Sequence, residues 1–194
     1  MSSPRLPRQR VNAAESQVSQ VVEAQELRIK DASGRVRAQI RPNGDVVGLL
    51  FFGADGKEQA AIITGPASSG IQLSGPNGKK AGLMITDDGT SLGFYDAKEM
   101  VRAFLAVTKD GPSLSLYDAG GNPRTSVSLA KDGPAFTLFD NSGSRRASLG
   151  LTRSGSGLVF LDSKDEPRAS LGFTQDAPLL MLLDSKGQVI TKLP

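Results

Sequence analysis

The sequence predicts an all-β fold: tandem two-strand repeats forming an elongated antiparallel meander, preceded by a short N-terminal helix. Three observations predict it. Equivalent residues return every 22 positions along most of the chain. Each unit holds two runs in which apolar residues alternate with small or polar ones, the period of a half-buried strand. The runs are separated by Asp, Asn and Gly clusters or by Lys-Asp-Gly-Pro, which is turn chemistry. Gly (22) and Pro (11) are correspondingly frequent in a chain of 194 residues.

Residues 1–10 read as a basic flexible tail. They contain Arg5, Arg8 and Arg10 and no acidic residue, so the remainder holds 20 basic residues (23 − 3) against 20 acidic ones. The net charge of +3 is therefore local, and nucleic acid is not an expected partner. No apolar core follows the arginines, so the stretch does not read as a secretory signal. The longest apolar runs, "VVGLLFFGA" and "PLLMLL", are too short for a transmembrane helix.

Residues 11–26 read as a short amphipathic helix. Val11 and Val18 share one heptad position, Ala14 and Val21 another, and neither Gly nor Pro interrupts them. Two heptads support either a helix lying on the sheet or a small parallel bundle that brings several chains into register.

Residues 27–194 read as an eight-unit β-repeat domain. The anchors are Asp31, Gly53, Ser74, Asp96, Asp118, Asp140, Asp162 and Asp184. Six residues after each stands Arg37, Gln59, Lys80, Arg102, Arg124, Arg146, Arg168 or Ile190. The next column is small: Ala38, Ala60, Ala81, Ala103, Thr125, Ala147, Ala169 and Thr191. Two further on it is apolar: Ile40, Ile62, Leu83, Leu105, Val127, Leu149, Leu171 and Leu193. At the anchors, Asp can bond its own backbone and a following Gly can take a positive φ. In "KDGP", Asp-Gly is expected to form the tight turn and Pro to open the next strand.

A β-solenoid is the alternative architecture. It would stack equivalent residues at about 4.8 Å, turning the Arg and Asp columns into ladders of opposed like charges. A meander separates them by two strands, roughly 9.6 Å, which favours the meander. An open sheet of that width must have its apolar face covered, by curling or by other chains. The C-terminal unit is apolar on both faces, with Leu180 and Leu182 on one side and Leu179, Met181 and Leu183 on the other, as in strands covered twice. Middle units carry Ser, Thr or Gly on that second face, which is expected to be wet.

The pairs Tyr95-Asp96, Tyr117-Asp118 and Phe139-Asp140, with Gly121 and Gly143 behind the last two, resemble tandem β-hairpin repeats of the YD (RHS-type) kind. The chain departs from that pattern where Leu161 and Leu183 replace the aromatic residue and where the Gly-Arg-Leu core is absent. The resemblance implies a long repetitive β structure serving as shell, spacer or fibre, and it carries over no catalytic residue.

The chain contains neither Cys nor His, which removes thiolate chemistry, the commonest metal ligand and the commonest general base. Asp87-Asp88 and Asp162/Asp165 are the visible carboxylate pairs, and both fall in expected turns. "DDG" and "DNSG" lack the spaced ligands of a calcium loop, and "GPNGKK" completes no phosphate loop. The Arg column reads best as pairing with the Asp of its own or a neighbouring hairpin. The expected protein is a non-catalytic structural one, without catalytic, cofactor or metal residues, that assembles with its own copies into a trimer, rod, fibre or filament. The candidate self-assembly residues are Val11, Val18, Val21, Leu179, Met181 and Leu183. The alternative is a carbohydrate- or surface-binding module that uses the second face, with Tyr95, Tyr117 and Phe139 as stacking rings.

Overall fold

A computed structural model describes residues 23–152, 155–174 and 177–193. They form one sheet of 16 antiparallel strands whose spatial order is the sequence order. The strands are β1 (Leu27–Lys30), β2 (Val36–Asn43), β3 (Val46–Phe52), β4 (Glu58–Thr64), β5 (Ser68–Ser74), β6 (Lys80–Thr86), β7 (Gly89–Tyr95) and β8 (Val101–Thr108), then β9 (Gly111–Tyr117), β10 (Pro123–Ala130), β11 (Gly133–Phe139), β12 (Arg145–Thr152), β13 (Gly155–Leu161), β14 (Pro167–Thr174), β15 (Ala177–Leu183) and β16 (Val189–Leu193). Every substantial contact between strands joins sequence neighbours. Leu116, Leu138 and Phe160, which a solenoid would stack on adjacent strands, lie on β9, β11 and β13, with β10 and β12 between them. The fold is the open meander; a solenoid is excluded. At the usual strand spacing the sheet is about 70 Å long.

The basic tail and most of the expected helix, including Val11, Val18 and Val21, lie outside the described residues. Residues 23–26 lead into β1 as irregular backbone.

A meander places all odd-to-even loops on one long border and all even-to-odd loops on the other. On the first border the anchor aspartates do what their chemistry demands. In each full loop the anchor N–H donates to the carbonyl four residues on, and its own carbonyl accepts from the residue three on, as in Asp118 N to Asn122 O at 3.0 Å and Gly121 N to Asp118 O at 3.1 Å. The carboxylate Oδ1 accepts two more backbone N–H groups, Gly120 at 2.8 Å and Asn122 at 3.0 Å. The third residue after the anchor has positive φ, which Gly34, Gly56, Gly121, Gly143 and Gly187 adopt freely; Glu99 (62°) and Asp165 (64°) hold the same conformation with a side chain. A bulge follows, seen as a register shift between Pro123 and Thr125 opposite β9.

Two turn assignments differ from expectation. The third anchor is Gly75, not Ser74, because Gly75 N donates to Lys79 O in the pattern of the other anchors. That loop has five residues like the others, but the bulge residue that follows them is missing here. A 3-10 turn at Pro76–Gly78, with Asn77 at φ 61°, closes it, and β5 pairs with β6 without a bulge. On the second border the tight loop in "KDGP" is Lys109-Asp110. Gly111 already pairs with Thr108 as the first strand residue, at φ 110°, and Pro112 is the second. The positive φ that Gly supplies is needed where the chain enters the strand.

The pairing register sorts side chains into rows across the whole sheet. On one face a central row runs Leu27, Ile40, Leu49, Ile62, Ile71, Leu83, Leu92, Leu105, and continues Leu114, Val127, Phe136, Leu149, Leu158, Leu171, Leu180, Leu193. On the opposite face the corresponding row passes through Gly82, Gly93, Phe104, Ser115, Ser126, Thr137, Ser148, Val159, Ser170 and Met181.

Candidate functional site

The apolar face is the feature with chemical consequence. Beside its central row runs a second row in which large and small residues alternate strand by strand. Ile29, Phe51, Leu73 and Phe94 are separated by Ala38, Ala60 and Ala81. Leu116, Leu138, Phe160 and Leu182 follow, separated by Thr125, Ala147 and Ala169, with Ala103 before them and Thr191 after. The large residues stand on odd strands. On the far side of the central row the parity reverses from β5 onward, whereas Val47 on β3 and Thr64 on β4 keep the parity of the second row. Ile85 and Val107 on even strands alternate with Thr90 and Pro112 on odd ones, and Leu151 and Phe173 alternate with Ser156 and Pro178. From β5 to β15 the relief is a checkerboard with a two-strand period, and no charged residue stands in any of these positions.

Among the described residues nothing covers this face. Twelve of the sixteen central-row residues are exposed, from Phe136 at 39% to Leu171 at 57%, as are all eight large residues of the second row. The chain exposes 14898 Å², whereas a compact monomer of its mass exposes about 8,800 Å². Even if every residue outside the described set carried extended-chain surface, about 4,000 Å², the remaining excess is about 2,000 Å².

The second face lies low, with its short side chains only partly exposed. Thr137 is 9% exposed and Ala106 5%, and the serines of β9 are half-buried. Short side chains lie close to the backbone, where flanking strands and larger neighbours shield them, while the long side chains of the apolar face protrude. Glycines deepen the effect. Gly150, Gly157 and Gly172 are cross-strand neighbours in one row that ends at Leu179. A Cβ on Gly172 would stand 2.1 Å from Ser156 O. The expected self-assembly residues Leu179, Met181 and Leu183 lie half-buried on this second face of β15. Tyr95, Tyr117 and Phe139 also point here and are half-buried. The ring of Tyr95 lies over Gly93, whose Cβ would be 2.7 Å from Oη. That ring is spent on packing against its own strand.

The Arg column pairs as expected. Arg124 reaches Asp118 at 3.1 Å, Arg168 reaches Asp162 at 2.5 Å, and Arg146 Nε donates to Asp140 Oδ2 at 2.7 Å. Further contacts run from loop to loop: Arg35 to Ala54 O at 3.0 Å, Lys80 to Glu99 at 2.6 Å, Arg145 to Asp165 at 3.0 Å and Arg124 to Asn141. The border is thus laced along its length. Four of its aspartates, Asp31, Asp118, Asp140 and Asp162, are held below the ordinary carboxylate value by hydrogen bonds within their loops. The Ser33 hydroxyl, with the N–H groups of Arg35 and Ser33, lowers Asp31 from 3.8 to about 2. The Ser142 hydroxyl, two backbone N–H groups and Arg146 likewise hold Asp140 well below the usual carboxylate range.

Among the described residues no group of three or more His, Cys, Asp or Glu side chains is placed to hold a metal ion. Asp87-Asp88 form a two-residue loop, and Asp162 and Asp165 share an anchor loop. A cleft of about 930 Å³ opens beside the bulge-free β5–β6 loop, between Asp55, Lys57, Gln59, Gln72, Asn77 and Lys80. Its lining mixes charges without a convergent nucleophile and base. Among the described residues no helix is long and apolar enough to cross a membrane.

Sequence reasoning placed the interface candidates at the chain ends and missed the checkerboard. The available signal was the position two before each Asp anchor, always Ile, Leu or Phe, set against the small column seven after it. No protein-family model matches the chain, and no curated protein matches it.

Proposed function

We propose that the protein is a non-catalytic structural element that assembles with its own copies into a β-rich rod. The observation that carries this reading is the apolar face that no described residue covers, continuous across all 16 strands. Faces of that size are rare on monomers and mark interaction surfaces. The repetitive sheet offers length and regularity rather than a concave site, and the chemistry-bearing side chains of the border are engaged in holding loops. The likeness to YD-type repeats, whose implied role is shell, spacer or fibre, points the same way. Size-exclusion chromatography with light scattering, followed by negative-stain electron microscopy, tests it. Expected are a stable oligomer and elongated particles of uniform length. A compact monomer at every concentration would refute the reading.

A further inference from the structure

We propose that the apolar face is covered by the same face of further copies of this chain, with strands held level so that large residues of one checkerboard enter the hollows of the next. This rests on the self-assembly reading above and specifies where and how copies meet.

The relief itself selects the partner. Phe94, Leu116, Leu138 and Phe160 stand two strands apart, with Ala103, Thr125 and Ala147 as hollows between them. The period is about 9.6 Å. A surface that fills these hollows repeatedly must share that period over the full sheet, and a second copy has it by construction. The reversed parity of the two flanking rows makes the match possible without an offset. When parallel copies are related by an axis along the sheet, the row through Phe94 and Leu116 meets the row through Ile85 and Val107. At each strand level from β5 to β15 one of the two is large and the other small, whereas Phe51 and Val47 on β3 are both large. The excess surface of about 2,000 Å² per chain exceeds the roughly 800 Å² per partner of a standard stable interface.

The sheet edges exclude the competing mode, end-to-end growth by strand pairing. β1 has four residues, among them Arg28 and Lys30, and β16 has five, among them Lys192. Short edge strands carrying cations resist addition of another strand, and bringing these two edges together would set Lys30 and Lys192 on one joint, while Arg28 is paired with Glu26 at 2.6 Å. Association through the face therefore adds no strand to either edge.

Three variants of the full chain test this by light scattering, with circular dichroism as the check on folding. Leu105→Asp with Leu149→Asp puts charge in the central row and should give monomers. Ala103→Leu with Ala147→Leu adds apolar area but fills hollows. It should weaken association by roughly tenfold or more, whereas unspecific apolar contact would strengthen it. Ser126→Asp, on the opposite face, should leave the oligomer unchanged. A wild-type monomer, including one that instead floats with phosphatidylcholine vesicles, overturns the self-assembly reading and this proposal together. A wild-type oligomer whose size survives the two aspartates overturns only the assignment of the face. Equal or tighter association of the Ala→Leu variant overturns the matching of relief, and this test remains decisive if the aspartate variant fails to fold.

Discussion

The two faces of this sheet are written by the same repeats and behave oppositely. The apolar face carries large side chains that protrude and remain 39–57% exposed along the central row wherever they are not half-buried. The other face carries mainly Ser, Thr, Ala and Gly in its middle units, which lie low and are half-buried or buried with no described residue stacked above them. Exposure alone therefore does not distinguish a finished surface from an unfinished one. What distinguishes them is the free energy left unrealised, because each large apolar side chain gains about 1.5–3 kcal/mol on full burial while a serine gains almost nothing.

The comparison can be broken most severely on the small-residue face. Gly172→Val would drive a side chain into the β13 backbone, since even a Cβ meets Ser156 O at 2.1 Å and Gly157 Cα at 2.7 Å. A loss of about 3 kcal/mol or more is expected in chemical denaturation. A value below about 1 kcal/mol, the net worth of roughly one hydrogen bond, would mean the strands separate readily at that point. Met181→Asp should cost roughly 2 kcal/mol by exchanging a half-buried apolar chain for a charge, while Ser115→Asp, its counterpart in a middle unit, should change the midpoint little. Equal effects would remove the distinction between the C-terminal unit and the middle ones.

Smaller effects belong to the border that both faces share. Gly121→Ala places a Cβ at φ 81° and should cost about 1–2 kcal/mol. Acid should loosen the same loops. Asp31, Asp118, Asp140 and Asp162 all have lowered pKa values. Folding then binds fewer protons than the unfolded chain, so the stabilisation is complete above the ordinary value of 3.8 and is lost as pH falls through the folded values, with Asp31 at about 2. Melting temperatures should be flat above about pH 5 and fall between about pH 4 and 2. A decline centred at pH 6 would point to other groups. The smallest effect is expected at Ser170, whose buried Oγ has no hydrogen-bond partner. Ser170→Ala should stabilise by up to about 1 kcal/mol, read as a raised midpoint.

Much of this architecture was legible because it is local. The alternation in Leu114–Leu116, the Asp that closes each loop and the Arg six residues later all act within one hairpin, so their spacing in sequence is their spacing in space. The third anchor was displaced by one residue because the β5–β6 loop omits its bulge, and only the hydrogen bond from Gly75 to Lys79 shows the omission. The checkerboard was harder to see for the same reason. Setting Ala103 beside Phe94 and Leu116 depends on the bulge after Asp96, which shifts register by one residue, and a one-residue shift moves every side chain to the opposite face. The shielding of Thr137 was illegible because it arises from the relative heights of neighbours, not from residue type.

Strands that touch only their sequence neighbours also make this chain a ruler. Each unit inserts two strands and so advances the far end by about 9.6 Å, without altering any contact made by units elsewhere. Duplication or loss of a unit changes length in whole steps and preserves the parity of odd and even strands. A protein built this way can be lengthened or shortened through its gene without being redesigned, and mixed lengths would be held to register by the part of the pattern they share.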